Sequence, residues 1–279
     1  MIPFWVTLAI IAGLFSNAGN FLFRFILRGK EDPVAFAWYS EILRFVLFMA
    51  VALFDWRFVV NFESIVLLIL IGVVEVAVIY YIVRMHSLSH LSISTLLSRT
   101  RLIWVPVLAF LFAGEHLQNM DYLGIVVLFV GISIAVAPRH LVRDQGMKFA
   151  LVSAFLASVE IVLTKLLIPY ASVGVINAFA FLPALFVMPL LMKSALPRLK
   201  EQFKVGVSLK TLAVLFFFGA NYLSTYALRF GDASKITGVY YGMMIFAVLA
   251  GIIFLKEREN IPRKIIGTLV VLGGVLLLS

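Results

Sequence analysis

The sequence has no cysteine, and charged residues are scarce. Without cysteine, disulfides, thiolate catalysis and cysteine-ligated metals are excluded. Charged residues make up 13% of the chain, against about 25% in soluble domains. The chain also lacks a glycine-rich phosphate loop ending in Lys-Ser/Thr and a His-Glu-x-x-His motif. We therefore predict no ATP-driven pump, no metal site and no cofactor.

Long apolar runs fill the chain instead. Hydrophobic residues make up 63%, and the mean hydropathy is +1.09. A helix of about 20 apolar residues spans a hydrocarbon core about 30 Å thick, and lipid offers the backbone no hydrogen-bond partners. We predict an all-α integral membrane protein with ten transmembrane helices. The ten segments, numbered in chain order, are 4–27, 34–54, 64–83, 92–113, 121–138, 148–167, 174–192, 211–229, 236–255 and 263–279.

The net charge of +9 is distributed over short loops. No basic stretch is long enough to form a groove for nucleic acid, so we predict no nucleic-acid partner. About fifteen basic residues lie in loops after odd-numbered segments and about four in the opposite loops. Because cytoplasmic loops are rich in Lys and Arg, this distribution predicts that both termini lie outside.

The chain contains an internal repeat. Residues 84–92 and 226–234 each lead into an apolar segment. Two glycines then follow seven residues apart in each half, and these are Gly124, Gly131, Gly267 and Gly274. We predict a first five-helix repeat at 1–138, a connecting loop at 139–147 and a second repeat at 148–279.

An odd number of helices in each repeat has a geometric consequence. The second repeat must enter the membrane from the opposite side, so the two copies are inverted. Inverted repeats are common in secondary transporters, whose substrate site lies near the midplane between the repeats. The pattern therefore favours transport over a purely structural duplication.

A family resemblance rests on particular residues of this repeat. They are Ala227-Leu-Arg-Phe-Gly-Asp-Ala-Ser234, its looser copy at 85–92, Arg44-Phe45, Pro106, Glu115 and Glu257. With these features the chain resembles the ten-helix, EamA-like branch of the drug/metabolite transporter superfamily. The resemblance implies ten helices around a central cavity that opens alternately to the two sides. It also implies export of amino acids and other small metabolites, while related branches carry sugar phosphates or nucleotide sugars. Relatives are generally drawn with both termini inside, against the charge count.

Several charged residues lie within the predicted spans, where an ionised group costs about 2.5–3.5 kcal/mol on insertion scales. Glu41 and Arg44 are three residues apart on one helix face and are expected to form an ion pair. Arg99 and Arg101 are two apart, so on a continuous helix they point about 200° from each other. We therefore expect only one of them to face a cavity and to bind a carboxylate or phosphate.

Charged residues near the ends of the predicted helices are expected to have structural roles. Arg24 and Lys165 are expected to extend towards the membrane interface. Glu115 and Glu257 resemble the family's structural glutamates at the same places.

Glu75 and Glu160 are the two candidates for proton coupling. Each lies well inside its segment, with no basic residue one turn away on the same helix. A carboxyl in apolar surroundings can exchange a proton at physiological pH or bind a substrate ammonium group. The alternative is a protonated glutamate that is hydrogen-bonded in the core.

The sequence therefore predicts a secondary active transporter of the cell membrane, not an enzyme. We expect export of amino acids or their derivatives by alternating access, in exchange for protons, by a monomer or homodimer whose partners are the substrate and the bilayer. The alternatives are a carrier of phosphorylated or anionic metabolites and an intramembrane enzyme that uses the buried carboxylates. The candidate substrate-binding residues are Asn17, Asn20, Glu41, Arg44, Glu75, Arg99, Glu160, Asn177, Asn221, Tyr222, Tyr240 and Tyr241.

Overall fold

The computed structural model describes residues 3–28, 32–88, 97–136, 146–192, 194–204, 206–244, 246 and 261–278. These residues form eleven helices. The helices are α1 (Phe4–Arg28), α2 (Pro33–Phe54), α3 (Phe62–Leu88), α4 (Arg101–Phe112), α5 (Asn119–Val136), α6 (Met147–Leu167), α7 (Val173–Leu190), α8 (Ala195–Gln202), α9 (Val207–Ala227), α10 (Ala233–Gly242) and α11 (Ile261–Leu278).

Most of these helices have the length and composition of membrane spans. Seven of them, α1, α2, α3, α6, α7, α9 and α11, are long and apolar enough to cross a bilayer. Two shorter apolar helices lie at Arg101–Phe112 and Asn119–Ala135. The described part of the chain contains helices, turns and loops but no strand, and its one β-type pairing is an isolated bridge between Phe58 and Ala171. The fold is therefore that of an all-helical, multi-pass membrane protein, and the number of ten spans stays a prediction.

Helix α4 begins later than the predicted segment 4. Thr100 is its N-cap and Arg101 its first residue, so Arg99 lies in the preceding turn. Residues 89–96, which include most of the expected start of this segment, lie outside the described residues. The helix ends at Phe112, just before Gly114, whose φ of +66° is a left-handed conformation that suits glycine.

The two helices with matched glycines pack against each other. A Cβ built on Gly131 would lie 3.0 Å from the Gly267 carbonyl oxygen, and one on Gly124 would lie 3.1 Å from that of Gly274. The residue order is reversed between the partners, because the earlier glycine of α5 meets the later glycine of α11. Equivalent helices of the two repeats thus cross antiparallel through equivalent positions, as an axis in the membrane plane requires.

The remaining helix contacts occur in matching sets. Helix α1 packs on α9 and α10, and its counterpart α6 packs on α3 and α4. The counterparts α2 and α7 pack on each other, as do α4 and α10. Each of these contacts therefore has its counterpart when the order of the repeats is exchanged, and the helices of one repeat are packed largely against those of the other.

Polar contacts join the repeats at both ends of the bundle. At the end that holds residues 228–232, Glu115 accepts hydrogen bonds from the backbone N–H of Ala233 (2.5 Å) and from the Ser234 hydroxyl (2.7 Å), so it caps the N-terminus of α10. At the opposite end, Arg198 of α8 donates to Asp32, with an Nη2–Oδ1 distance of 2.8 Å. Both ends are therefore bridged in this conformation.

Lys165, which we expected to extend towards the membrane interface, forms two hydrogen bonds within the protein. Its ammonium donates to the carbonyl oxygens of Leu228 (2.8 Å) and Gly231 (2.7 Å), which follow the end of α9. A cation here satisfies carbonyls that the helix leaves unpaired. The side chain of Arg24 and all of Glu257, for which we made similar expectations, lie outside the described residues.

Candidate functional site

A cavity of about 140 Å³ lies among α4, α6, α7, α9 and α10. It extends from the middle of α6 towards the end of the bundle where α9 finishes and α10 begins. Its lining combines one cation, one carboxyl group, two amides and several hydroxyls. The lining residues are Arg101, Ala157, Glu160, Ile161, Thr164, Asn177, Asn221, Ser224, Thr225, Leu228, Ile236, Thr237, Tyr240 and Tyr241.

The lining follows from helical periodicity. Residues 157, 160, 161 and 164 of α6 have the i, i+3, i+4, i+7 spacing of one helix face, and residues 221, 224 and 225 of α9 with Leu228 at its C-cap have the same spacing. The sequence interpretation missed Thr164, Ser224 and Thr225. On α9 the signal is a stripe of small polar residues on an apolar helix, and on α6 it is the spacing of four residues between Glu160 and Thr164.

Glu160 lies in the cavity wall and joins Glu75. Glu75 is 4% exposed and belongs to α3 of the first repeat, whereas Glu160 belongs to α6 of the second. Their side chains are hydrogen-bonded to each other. An ionised carboxylate can only accept hydrogen bonds, so this bond needs a proton on one of the two groups. The two carboxyl groups that we had singled out separately therefore form one pair across the interface between the repeats.

Arg99 and Arg101 both contact Tyr241. The guanidinium of Arg101 donates to the Tyr241 hydroxyl at 2.7 Å, and that of Arg99 lies 4.5 Å from the centre of the Tyr241 ring. Of the two, only Arg101 lines the cavity. Arg99, which we had chosen as the substrate-binding candidate, lies in the turn before α4 and is not among the lining residues. Tyr241 is thus held between two cations.

Glu41 and Arg44 form the predicted ion pair. The Glu41 side chain is only 2% exposed, and the Arg44 guanidinium also lies 4.2 Å from the centre of the Phe181 ring. Neither residue lines the cavity, but Arg44 interacts electrostatically with both Glu75 and Glu160. The ion pair of Glu41 and Arg44 therefore lies outside the cavity lining, and its arginine interacts with the carboxyl groups of Glu75 and Glu160.

Four other predicted residues, Asn177, Asn221, Tyr240 and Tyr241, lie in the cavity wall. The Asn177 amide donates to the carbonyl oxygen of Val173 (2.9 Å) and to the Thr225 hydroxyl (3.2 Å). These two bonds fix the orientation of the amide group in the cavity wall.

Three predicted residues lie elsewhere. Asn17 donates to the carbonyl oxygens of Gly13 and Met243, which joins α1 to the end of α10. Asn20 is exposed and donates to the Ser16 hydroxyl at 3.4 Å. Tyr222 stacks on Tyr226 with a centroid distance of 6.1 Å. Substrate contact by these three residues stays a prediction.

The site offers no evident metal centre. Among the residues that the structure describes, no group of three or more acidic or histidine side chains is placed to hold a metal ion.

Two comparisons with known proteins match nearly the whole chain. A family model described as the EamA-like transporter family matches residues 3–137 and 144–279. No curated protein matches the chain, whereas 28 chains of solved structures do. One of these, a crystal structure titled only as that of a protein, is 14% identical, has a TM-score of 0.77, and is matched over 99% of this chain and 98% of its own. At that identity the likeness shows a shared fold alone.

Proposed function

The chain belongs to the EamA-like transporter family, and from this premise we propose that it exports amino acids or closely related metabolites across the cell membrane by alternating access, in exchange for protons. The observation that carries the proposal is the cavity between the repeats, in which Arg101 and Glu160 both reach the wall. Arg101 suits a substrate carboxylate and Glu160 an ammonium group. The hydroxyls and amides around them suit the polar remainder of a small substrate.

Inverted repeats supply the two states that such a transporter needs. Rocking one repeat against the other opens the cavity to one side and closes it to the other. Glu75 and Glu160 are the coupling groups in this scheme, because they lie on different repeats and are hydrogen-bonded to each other. The chain acts as a monomer or homodimer and performs no chemistry on its substrate.

Solute counterflow in proteoliposomes tests the proposal. Vesicles preloaded with an unlabelled amino acid should accumulate the labelled amino acid when they contain the full-length protein. Ser224→Trp, which fills the cavity, should abolish accumulation. Leu215→Trp is a matched control, since Leu215 is 44% exposed on the outer surface of the same helix. Absence of counterflow for every amino acid, or release of an altered product without net flux, contradicts the proposal.

A second candidate is the carriage of anionic metabolites such as sugar phosphates. Two arginines lie against Tyr241 at the cavity wall, which gives this region a surplus of positive charge. The same counterflow assay, with sugar phosphates in place of amino acids, separates the candidates.

A further inference from the structure

One face of α1 carries small and polar residues that do not line the cavity. They have the i, i+3, i+4, i+7 spacing of a single helix face and are Gly13, Ser16, Asn17 and Asn20. A Cβ on Gly13 would lie 2.5 Å from the carbonyl oxygen of Tyr240. Asn17 donates to the carbonyl oxygen of Met243 at the end of α10. This inner face of α1 is therefore turned towards α10 and not towards lipid.

Asn20 is exposed although it belongs to the inner face. The exposed apolar residues of α1 are rotated from Asn20 by about 100° or more, and they are Ile11, Phe15, Phe21 and Phe25. A polar side chain within a span usually faces protein or a water-filled cavity. Helix α1 starts where Phe4 packs on Phe230, at the Leu228 end of the bundle, and runs towards the Asp32 end. The exposed Asn20 therefore marks an opening on the side of the Asp32 end.

Hydrogen bonds connect this opening to the cavity. The Asn20 amide donates to the Ser16 hydroxyl at 3.4 Å, and the side chain of Ser16 is hydrogen-bonded to that of Tyr240. Tyr240 also lines the cavity, which extends in the other direction as far as Leu228. Tyr240 therefore lies between the cavity and the inner face of α1.

The internal repeat relates the inner face of α1 to the cavity wall. Glu160 of α6 is hydrogen-bonded to Glu75 of α3. In the counterpart helices, a Cβ on Gly19 of α1 would lie 3.0 Å from the Phe217 ring of α9. One sequence offset relates Gly19 to Glu160 and, to within one residue, Glu75 to Phe217. The two contacts are therefore equivalent, and they set the register between α1 and α6.

In this register Ser16 and Asn20 take the places of Ala157 and Ile161, which line the cavity. The pair of carboxyl groups has no charged counterpart, because a glycine and a phenylalanine stand at the equivalent positions. The inner face of α1 therefore offers a hydroxyl and an amide where the cavity wall offers a carboxyl.

Resting on the proposed transport of amino acids, we propose that Ser16 and Asn20 line the part of the substrate path that opens at the Asp32 end, and that Tyr240 closes it off from the cavity in this conformation. When the repeats exchange conformations, α1 takes the place that α6 has here. A zwitterionic substrate then passes from the charged groups of the cavity to an uncharged surface that can still donate and accept hydrogen bonds. Neutral hydrogen bonds are weaker than charge-assisted ones, so this surface guides the substrate without retaining it.

Single thiols in the cysteine-free, full-length chain test the opening. A cationic, membrane-impermeant methanethiosulfonate should modify Asn20→Cys from the side on which it modifies Lys200→Cys, and not from the side of Val60→Cys. Phe21→Cys is the control at the same depth, since Phe21 is the next residue of α1 and is 44% exposed on the apolar side. It should stay unmodified, because the reagent attacks a thiolate and a lipid-facing thiol does not ionise.

Modification of Asn20→Cys before reconstitution should stop leucine counterflow in proteoliposomes, because the attached group fills the path. Reduction of the mixed disulfide should restore counterflow. If Asn20→Cys stays as unreactive as Phe21→Cys, the side chain does not reach water and the assigned path is overturned. Full counterflow with a modified Asn20→Cys overturns it as well, because the opening then lies outside the path.

Tyr240→Phe tests the closure separately, since it removes the hydrogen bond to Ser16 and keeps the ring. Loss of one hydrogen bond should raise the rate at which the cavity thiol of Ser224→Cys is modified from the Lys200 side by about 2- to 10-fold. Tyr122→Phe alters an exposed tyrosine of α5 and should leave that rate unchanged. Equal rates with and without the Tyr240 hydroxyl would show that this residue is not the barrier.

Side-specific labelling does not depend on amino-acid transport. Absence of counterflow for every amino acid overturns the proposed function, and labelling of Asn20→Cys from the Lys200 side then supports the same path for a different solute. Amino-acid counterflow together with an Asn20→Cys thiol that is unreactive from both sides overturns the path and leaves the proposed function standing.

Discussion

At the scale of single residues, Arg101 is where we expect substitution to affect substrate recognition most. Its guanidinium lines the cavity, is held by Tyr241 and retains a buried N–H without a partner among the described residues. A hydrogen bond to a charged partner contributes about 1.5–3 kcal/mol. Arg101→Gln should therefore weaken binding of a carboxylate ligand about 10- to 100-fold, as measured by equilibrium binding of labelled leucine.

Arg84→Gln is the control for this prediction. It also removes a guanidinium beside a tyrosine, since Arg84 lies 5.8 Å from the centre of the Tyr80 ring, but Arg84 is exposed and distant from the cavity. Equal losses in both variants would mean that surface charge, and not a cavity contact, governs binding.

The glutamates show how far residue-level prediction reaches. The cost of an ionised group in lipid was enough to single out Glu75 and Glu160. That cost did not predict the contact between Glu75 and Glu160, because the contact joins helices of different repeats. For the arginines of segment 4, the spacing indicated that only one would face a cavity but did not identify which, and Arg101 lines it in place of the candidate Arg99. The hydroxyls of Ser224 and Thr225 on α9 and of Thr164 on α6 were predictable from the sequence, because spacing alone identifies the residues on one helix face.

At the scale of elements, Asp32 stabilises the start of α2 in two ways. Its Oδ1 accepts from the backbone N–H of Val34 (3.1 Å) and Ala35 (3.2 Å), and the same carboxylate binds Arg198. Burial raises the pKa of Asp32, but the hydrogen bonds from Arg198 and Ala35 outweigh it, so the pKa lies below its usual value. The stabilisation is thus complete at neutral pH and is lost as the pH falls below about 4.

Two substitutions separate the contributions of Asp32. Asn caps a helix about as well as Asp, so Asp32→Asn removes the ion pair and should cost about 0.2–1 kcal/mol. Asp32→Ala also removes the cap and should cost about 1 kcal/mol more. Thermal unfolding in detergent at pH 7 measures both. Identical unfolding temperatures for the two variants would show that the cap contributes nothing.

The glycine contact between α5 and α11 offers a test on adjacent residues. A Cβ on Gly274 would lie 2.8 Å from the Leu128 backbone nitrogen, whereas one on Gly273 would meet nothing within 4 Å. Gly274→Ala should therefore force the helices apart and cost about 1–3 kcal/mol. Gly273→Ala should stabilise α11 by up to about 1 kcal/mol through helix propensity. Thermal shifts of the same sign would contradict close packing at Gly274.

At the scale of the whole molecule, the absence of cysteine makes the orientation measurable with single introduced thiols. Lys200 on α8 and Val60 between α2 and α3 are both exposed and lie at opposite ends of the bundle. The charge count places the Lys200 end in the cytoplasm. A membrane-impermeant maleimide added to intact cells should therefore label Val60→Cys and not Lys200→Cys. The reverse pattern would place the termini inside.

The inverted repeats make a prediction about both ends of the bundle together. Asp32 and Arg198 bridge the repeats at one end, and Asp121 and Lys235 do so at the other, where the Nζ–Oδ2 distance is 2.9 Å. Alternating access requires each bridge to open in turn, because the cavity must reach both sides of the membrane. A reducible thiol cross-linker placed across either pair, as a double cysteine variant, should stop counterflow, and reduction should restore it. Each single cysteine variant treated with the same reagent controls for loss of the charge. Full counterflow with either bridge cross-linked would mean that this end does not open, and the repeats would then not act as alternating gates.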